Sequence, residues 1–456
     1  MKTERYHCPF TIDVIYDGET VSDGAVPCII GKDINFNVEH LQAYVPSGWD
    51  PVIYDVMVLA AAVEACDHSR PRATMDWSRD FTVTIPVHEP ERWNSAPVKL
   101  ALHRALKLLT GDEWDIRFRE TVETQDGPAQ ANFGFPAQAE IVIPFSDGLD
   151  SRAVAGIIEH EREDRSIRVR VGAKRISKSK SGETSKPFAN LPFSVSSLRN
   201  GNGESSGRSR GFKFAIMSGL AAYLIGAKSI IVPESGQGAL GPVLVNTGQT
   251  YFDRRTHPQF THRMSMFLEA LFGKKIVFEH PRIWRTKGES LAAFKKIHPA
   301  VNIWKDTRSC WVSAQHASIP GEHRQCGVCA ACMLRRSSLH AAGYSEDSSM
   351  YVWENLNASE FWEGVNPEYK NRDEVRRTYA IAGVLHMDHL AALPRDPNLE
   401  IIVQRQALQL MPALDLSFDE ITTRIKRLLE AHAEEWSAFL ASLSNDSFVQ
   451  QWAEVA

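Results

Sequence analysis

The sequence has no apolar run near the 18 or so residues that a membrane-spanning helix needs. Its longest candidate, 214–227, is broken by Ser218 and Gly219 and reads as a buried helix. Nor is there an excess of basic charge. Against 51 Lys plus Arg stand 56 Asp plus Glu, a net charge of -5, which leaves no global field for nucleic acid. No apolar signal core follows Met1-Lys2-Thr3-Glu4-Arg5, so the cytoplasm is the expected compartment. Seven cysteines among 456 residues are too few for a disulfide scaffold. With 43% hydrophobic and 23% charged residues, the chain is neither disordered nor low in complexity and can bury several cores.

What is present falls into three segments. Residues 1–138 mix β-rich runs such as 10–15 with helical stretches at 56–65 and 96–109, an α/β extension in which Asp76, Trp77, Asp80 and His88 show no ligand spacing. At 139 the texture changes. Ala139 to Phe145 reads as a buried strand running into Ser146-Asp147-Gly148-Leu149-Asp150-Ser151, and Ala153, Val154, Ile157 and Ile158 then share one helical face. A strand at 167–171, a helix at 211–226 and a strand at 229–232 continue the alternation. This predicts a doubly wound parallel sheet, with ligands at the carboxyl ends of its strands. The Ser-, Gly-, Asn- and Lys-rich stretch 173–209 is expected to be a mobile loop, either a linker or a lid. Residues 346–456 read as a helical C-terminal extension, with Ser417 to Glu420 a capping box ahead of Ile421, Ile425, Leu428 and Leu429.

The strand, tight turn and helix at 139–158 make an anion site, because the first N–H groups of a helix lack intrahelical acceptors and its dipole favours negative charge. Ser146 and Ser151 bring hydroxyls. Asp150 can cap the helix or hold a Mg²⁺ ion carried by phosphates. A well-capped connection without a ligand is the plain alternative. Further on, Cys310, Cys326, Cys329 and Cys332 form the pattern C-x15-C-x2-C-x2-C. Four thiolates suit a closed, structural Zn²⁺ site, and an Fe–S cluster would accept the same set. His316 and His323, between the first two cysteines, read as surface residues.

The hexapeptide at 146–151 resembles the Ser-Gly-Gly-x-Asp-Ser loop of the PP-loop ATP pyrophosphatases, which implies an adenine nucleotide alpha hydrolase-like fold and phosphate binding by Ser146, Asp147, Gly148, Leu149, Asp150 and Ser151. Asp147 departs from that pattern, standing where the family has glycine. Its carboxylate must turn away, help hold Mg²⁺, or weaken nucleotide binding. Followed by the cysteine cluster and Cys332-Met333-Leu334-Arg335-Arg336, the loop makes residues 139–345 similar to the QueC family. Those enzymes convert 7-carboxy-7-deazaguanine into 7-cyano-7-deazaguanine with ATP and ammonia and carry a four-cysteine zinc site.

Glu204 to Arg210, Pro233-Glu234-Ser235-Gly236, Arg255-Thr256-His257-Pro258 and Thr286-Lys287-Gly288-Glu289 resemble the QatC-type branch of bacterial anti-phage operons. The resemblance implies adenylation of a deazaguanine carboxylate. The acyl group would pass to a protein amine on an operon partner or, alternatively, to ammonia; a silent nucleotide-binding scaffold is the third reading, motivated by Asp147. Asp150, Arg208, Arg210 and Lys287 become the candidate catalytic residues, with ATP, Mg²⁺ and structural Zn²⁺ as cofactors. Glu234 and His257 are candidates for gripping the base or moving a proton. A homo-oligomer is compatible with this reading; membrane and direct nucleic-acid partners are not expected.

Overall fold

A computed structural model of the chain describes residues 9–36, 50–72, 78–121, 139–146, 148–162, 165–171, 188–191, 193–195, 204, 207–245, 251–305, 307–314 and 316–454. Its strands are β1 (Phe10–Ile15), β2 (Val26–Ile29), β3 (Ile34–Phe36), β4 (Asp80–Val87), β5 (Glu113–Glu120), β6 (Ile141–Pro144), β7 (Ser166–Val171), β8 (Phe188–Leu191), β9 (Phe193–Val195), β10 (Ser229–Ile231), β11 (Val277–Glu279), β12 (Ser318–Ile319) and β13 (Glu322–His323). The helices are α1 (Val52–Ser69), α2 (Pro90–Asn94), α3 (Ala96–Thr110), α4 (Leu149–Glu161), α5 (Arg210–Ile225), α6 (Gly236–Leu244), α7 (Pro258–Phe272), α8 (Lys287–Ile297), α9 (Ala330–Ala341), α10 (Glu374–Ala392), α11 (Leu399–Leu414), α12 (Phe418–Ala441) and α13 (Phe448–Glu454). Two compact units interleave along the chain. One takes Met1–Ser146, Arg162–Val232 and Asp253–Glu279, and the other Asp147–Glu161, Pro233–Phe252 and His280–Ala456.

The first unit holds two parallel sheets, ordered β2-β1-β4-β5 and β11-β10-β6-β7-β8. The expected alternation of strands with helices is therefore present, with β6, β7 and β10 adjacent in the second sheet. Packed against β4 and α5 is α1, whose sequence Val-Ile-Tyr-Asp-Val-Met-Val-Leu-Ala-Ala-Ala-Val has no polar stripe and is buried nearly all round. A single apolar cluster passes from Ile12 and Val83 through Val56, Met57 and Leu59 to Val142, Ile216 and Ile230. Each fully buried side chain of this size contributes roughly 1.5–3 kcal/mol. The expected mobile loop over 173–209 is corrected at β8 and β9: β8 pairs parallel with β7, and β9 pairs antiparallel with β3. Most of the rest of that stretch lies outside the described residues.

The second unit is mainly helical. Leu149, Ala153 and Ile157 of α4 pack against Leu291, Phe294 and Leu339. The capping box at Ser417 and Glu420 forms as the sequence predicts, and Ile421, Ile425, Leu428 and Leu429 of α12 are buried beside Val403, Ala407 and Leu410 of α11. Among the described residues no helix is long and apolar enough to cross a membrane.

The first unit also buries charge. Arg79, 4% exposed, donates to Asp112 Oδ2 at 2.6 Å and Asp67 Oδ1 at 2.5 Å, and Arg72 reaches Asp112 Oδ2 at 2.7 Å. Removing one partner would strand the others without compensation. Arg79→Met is accordingly expected to cost about 3–5 kcal/mol in urea unfolding; a loss near zero would show that the network is not formed.

Candidate nucleotide site and metal centre

In the second unit the N-terminal ends of α4, α6 and α8 meet. Gly148 starts α4 by accepting the Arg152 N–H (3.0 Å) and the Ser151 hydroxyl (3.0 Å), so Ser151 is held by the turn itself. Leu149 belongs to the core, and Asp150 sits one residue inside the helix. Its carboxylate forms an ion pair with Lys287 Nζ, the first residue of α8, and the two side chains are 17% and 6% exposed. Two residues singled out separately in the sequence are thus brought together. Asp147 lies outside the described residues, and Ser146, exposed, ends the first unit's segment after β6.

Local sequence explains why Lys287 is held so firmly. Thr286 accepts the Glu289 N–H at 2.9 Å and its own N–H donates to Glu289 Oε2 at 2.8 Å, a complete capping box. The Lys287 N–H donates to Gln237 Oε1 at 2.7 Å, from the first turn of α6. At the N-cap of α6, Ser235 is fully buried and its hydroxyl has no hydrogen-bond partner among the described residues. A cluster of helix N-termini with a buried lysine and an unsatisfied hydroxyl is chemically suited to a polyanion.

Gln237 and two residues of α12, His432 and Glu435, carried no motif in the sequence, yet they form the base of this cluster. Burial pushes the Glu435 carboxyl up to about 7 and the His432 imidazole down to about 4. Of the other singled-out residues in this unit, Glu234 accepts the Ser235 N–H at 3.2 Å.

The remaining candidates lie in the first unit. Arg208 donates to Thr110 O at 3.0 Å, and burial followed by the nearby Arg72 pulls its pKa below the ordinary arginine value. Ser209 N–H donates to Asp67 Oδ2 at 2.7 Å, which ties the segment carrying both arginines to the Arg79 network. Arg210 is exposed at the start of α5, with its guanidinium over the Phe214 ring. His257 is buried and caps α7 by accepting the Gln259 N–H at 3.2 Å, a structural role.

The four cysteines converge in the second unit, with Sγ atoms all within 4.8 Å of one another. Four thiolates about 2.3 Å from one Zn²⁺ ion would stand about 3.8 Å apart at tetrahedral angles, so the cluster has the compactness of a single-ion site. Cys326 Sγ and Cys332 Sγ are 3.8 Å apart. Backbone N–H groups already point at sulfur, Cys326 N to Cys310 Sγ at 3.2 Å and Cys329 N to Cys326 Sγ at 3.3 Å. Gly327 makes the knuckle possible. Its φ is +90°, and a Cβ there would press on Tyr351 Cβ at 2.9 Å. Arg335, fully buried, fixes α9 beneath the knuckle through Glu346, Tyr351, Thr307 and Trp304. His316 and His323 are exposed and stand outside the cluster, as the sequence suggests.

Because α9 leaves the cysteine knuckle at Cys329 and packs on α8, the knuckle is joined through one helix to the helix that presents Lys287. The class defined is an α/β protein with helix N-termini gathered around a buried lysine and a four-cysteine cluster that could hold a metal ion. Within it, residues 242–343 match the family described as queuosine biosynthesis protein QueC. Over that segment, which carries Lys287 and all four cysteines, the chain is QueC-like.

Zinc should copurify at about one ion per chain, and Cys329→Ser should lose it together with much of the thermal stability, since metal that binds only the folded state adds its binding energy to folding. Thiolates must be deprotonated to bind metal, so protons compete with it and zinc should be released as pH falls. Elemental analysis and a chelator colour assay across pH check both; bound iron in place of zinc would refute the assignment.

Proposed function

We propose that the chain uses ATP to adenylate 7-carboxy-7-deazaguanine and passes the deazaguanine acyl group to an amine of a partner protein, as part of an anti-phage defence system. The observation that carries the reading is the buried Lys287–Asp150 pair at the meeting point of three helix N-termini, with Lys287 inside the segment matching QueC. In this chemistry the substrate carboxylate attacks the α-phosphorus and pyrophosphate leaves. The partner's amine then attacks the acyl carbon, and AMP departs as the amide forms.

The chain's own groups divide the work. Backbone N–H groups at the starts of α4 and α6 hold phosphate oxygens, and the phosphates draw Lys287 from Asp150 so that it neutralises the leaving pyrophosphate. Asp150, released, is the carboxylate placed to hold a Mg²⁺ ion carried by the nucleotide. The zinc knuckle holds α8 and does not activate water, since four thiolates leave no open position.

Pyrophosphate release should depend on 7-carboxy-7-deazaguanine, and Lys287→Ala should lower it by about 10²-fold or more while the protein stays folded. Mass spectrometry of the reaction with the neighbouring gene product reads the acceptor. An adduct on that protein supports the proposal, a free nitrile formed with ammonia points to 7-cyano-7-deazaguanine synthesis, and no product with no pyrophosphate favours a scaffold. Asp147→Gly adds a separate measurement. If Asp147 repels phosphate, glycine should tighten ATP binding by about tenfold, equivalent to about 1.4 kcal/mol; if it helps hold Mg²⁺, turnover should fall and need more metal.

A further inference from the structure

The helical C-terminal extension has no motif of its own, yet one helix of it enters the cluster at the start of α8. His432 Nε2 lies 2.9 Å from Met387 O, and its Nδ1 lies 2.7 Å from Gln237 Nε2. A neutral imidazole that donates to the Met387 carbonyl must accept at Nδ1, so it takes an N–H from the Gln237 amide. That fixes the amide's orientation and leaves Gln237 Oε1 to accept the Lys287 N–H. Glu435, one turn along α12, accepts from the Thr286 hydroxyl and stands 3.4 Å from Gln237 Nε2. Position 288 shows how close the carboxylate lies, because a Cβ there would collide with Glu435 Oε1.

We propose that α12 is a working part of the nucleotide site, in which His432 and Glu435, with Gln237, are positioning residues that set the first turn of α8 and so hold Lys287 against Asp150. The proposal rests on the ATP-using function above and gives residues 346–456 a role in it.

A consequence in pH follows. The charged and titratable groups around the Glu435 carboxyl are Glu289 of α8 and Arg427 and His432 of α12, with His386 of α10 beside His432. Burial pushes His386 down to about 4, so both histidines are neutral near pH 7. Arg427 is paired with Glu289 through Nη1 to Oε2 at 2.7 Å. Glu435 is therefore the group free to change charge there, with its pKa at about 7. Its ionisation adds negative charge where the triphosphate must bind, so ATP affinity should fall as pH rises through that value. A bound polyanion that raises this pKa by about one unit corresponds to an affinity loss of about tenfold between the acidic and basic limits.

The test uses the full chain and two readouts. Lys287 acylation by acetic anhydride, mapped by mass spectrometry, should be slow in wild type, several-fold faster in Glu435→Ala and Gln237→Ala, and near wild type in Glu435→Gln, which keeps the shape and the acceptor. ATP binding from pH 6 to pH 8 should weaken in wild type and stay flat in Glu435→Gln. Unchanged acylation in alanine variants that remain folded overturns the proposal, and should they not fold, equal pH dependence of ATP binding in wild type and Glu435→Gln does so. If no protein binds ATP, the nucleotide reading falls, while the acylation rates still decide whether α12 positions Lys287.

Discussion

A lysine at the first position of a helix is a cation at the positive end of a dipole, unfavourable by about 0.3–1 kcal/mol before burial adds its own cost. Lys287 is 4% exposed as well. Its position is stable only because Asp150 supplies the counter-charge and a capping box and Gln237 fix the backbone beneath it. Breaking such a pair on one side leaves a buried uncompensated charge, which costs about 3–5 kcal/mol. The second unit is arranged around meeting that requirement: α4 brings the acid, α6 the amide, α9 a packed support leading from the cysteine cluster, and α12 the groups behind the amide. On the proposed function, a polyanion arriving with charge enough to replace Asp150 would exchange for it in this well-supported pair.

Much of this was legible in the sequence, for reasons that differ from residue to residue. The parallel strands β6, β7 and β10 and the cap of α12 follow from short-range periodicity and a four-residue signal. Three cysteines within seven residues announce a metal site whatever the fold around them. Asp150 and Lys287 were each recognisable, but their pairing joins residues 137 positions apart, and no local pattern encodes that. His432 and Glu435 were invisible for the same reason: nothing in α12 distinguishes them from other polar residues until Gln237, 195 positions upstream of His432, reaches them. β8 and β9 were hidden by the Ser- and Lys-rich sequence around two very short β-prone runs.

The first unit makes the complementary point about charge. Asp67, Asp112, Arg72 and Arg79 look like ordinary surface residues in sequence, yet they are buried together and take hold of the backbone just before α5 through Ser209. Arg208 and Arg210 therefore project from a segment fastened to the N-terminal strands' own core. The extension at 1–138 has at least this structural reason to accompany the sheet that follows it.

The interleaving of the two units also sets the order in which the chain can fold during its synthesis. Leu149, Ala153 and Ile157 on α4 find their cover in Phe294, Trp304 and Leu339, the last of which is translated 182 residues after Ile157. At about 5–20 residues per second, this apolar face waits roughly 10–40 s for its partners. The first unit has all its segments by Glu279, so its core can close while α4 still lacks its partners. A ribosome paused between residues 279 and 291 would hold a chain with one finished core and an uncovered greasy helix, the kind of surface that chaperones bind.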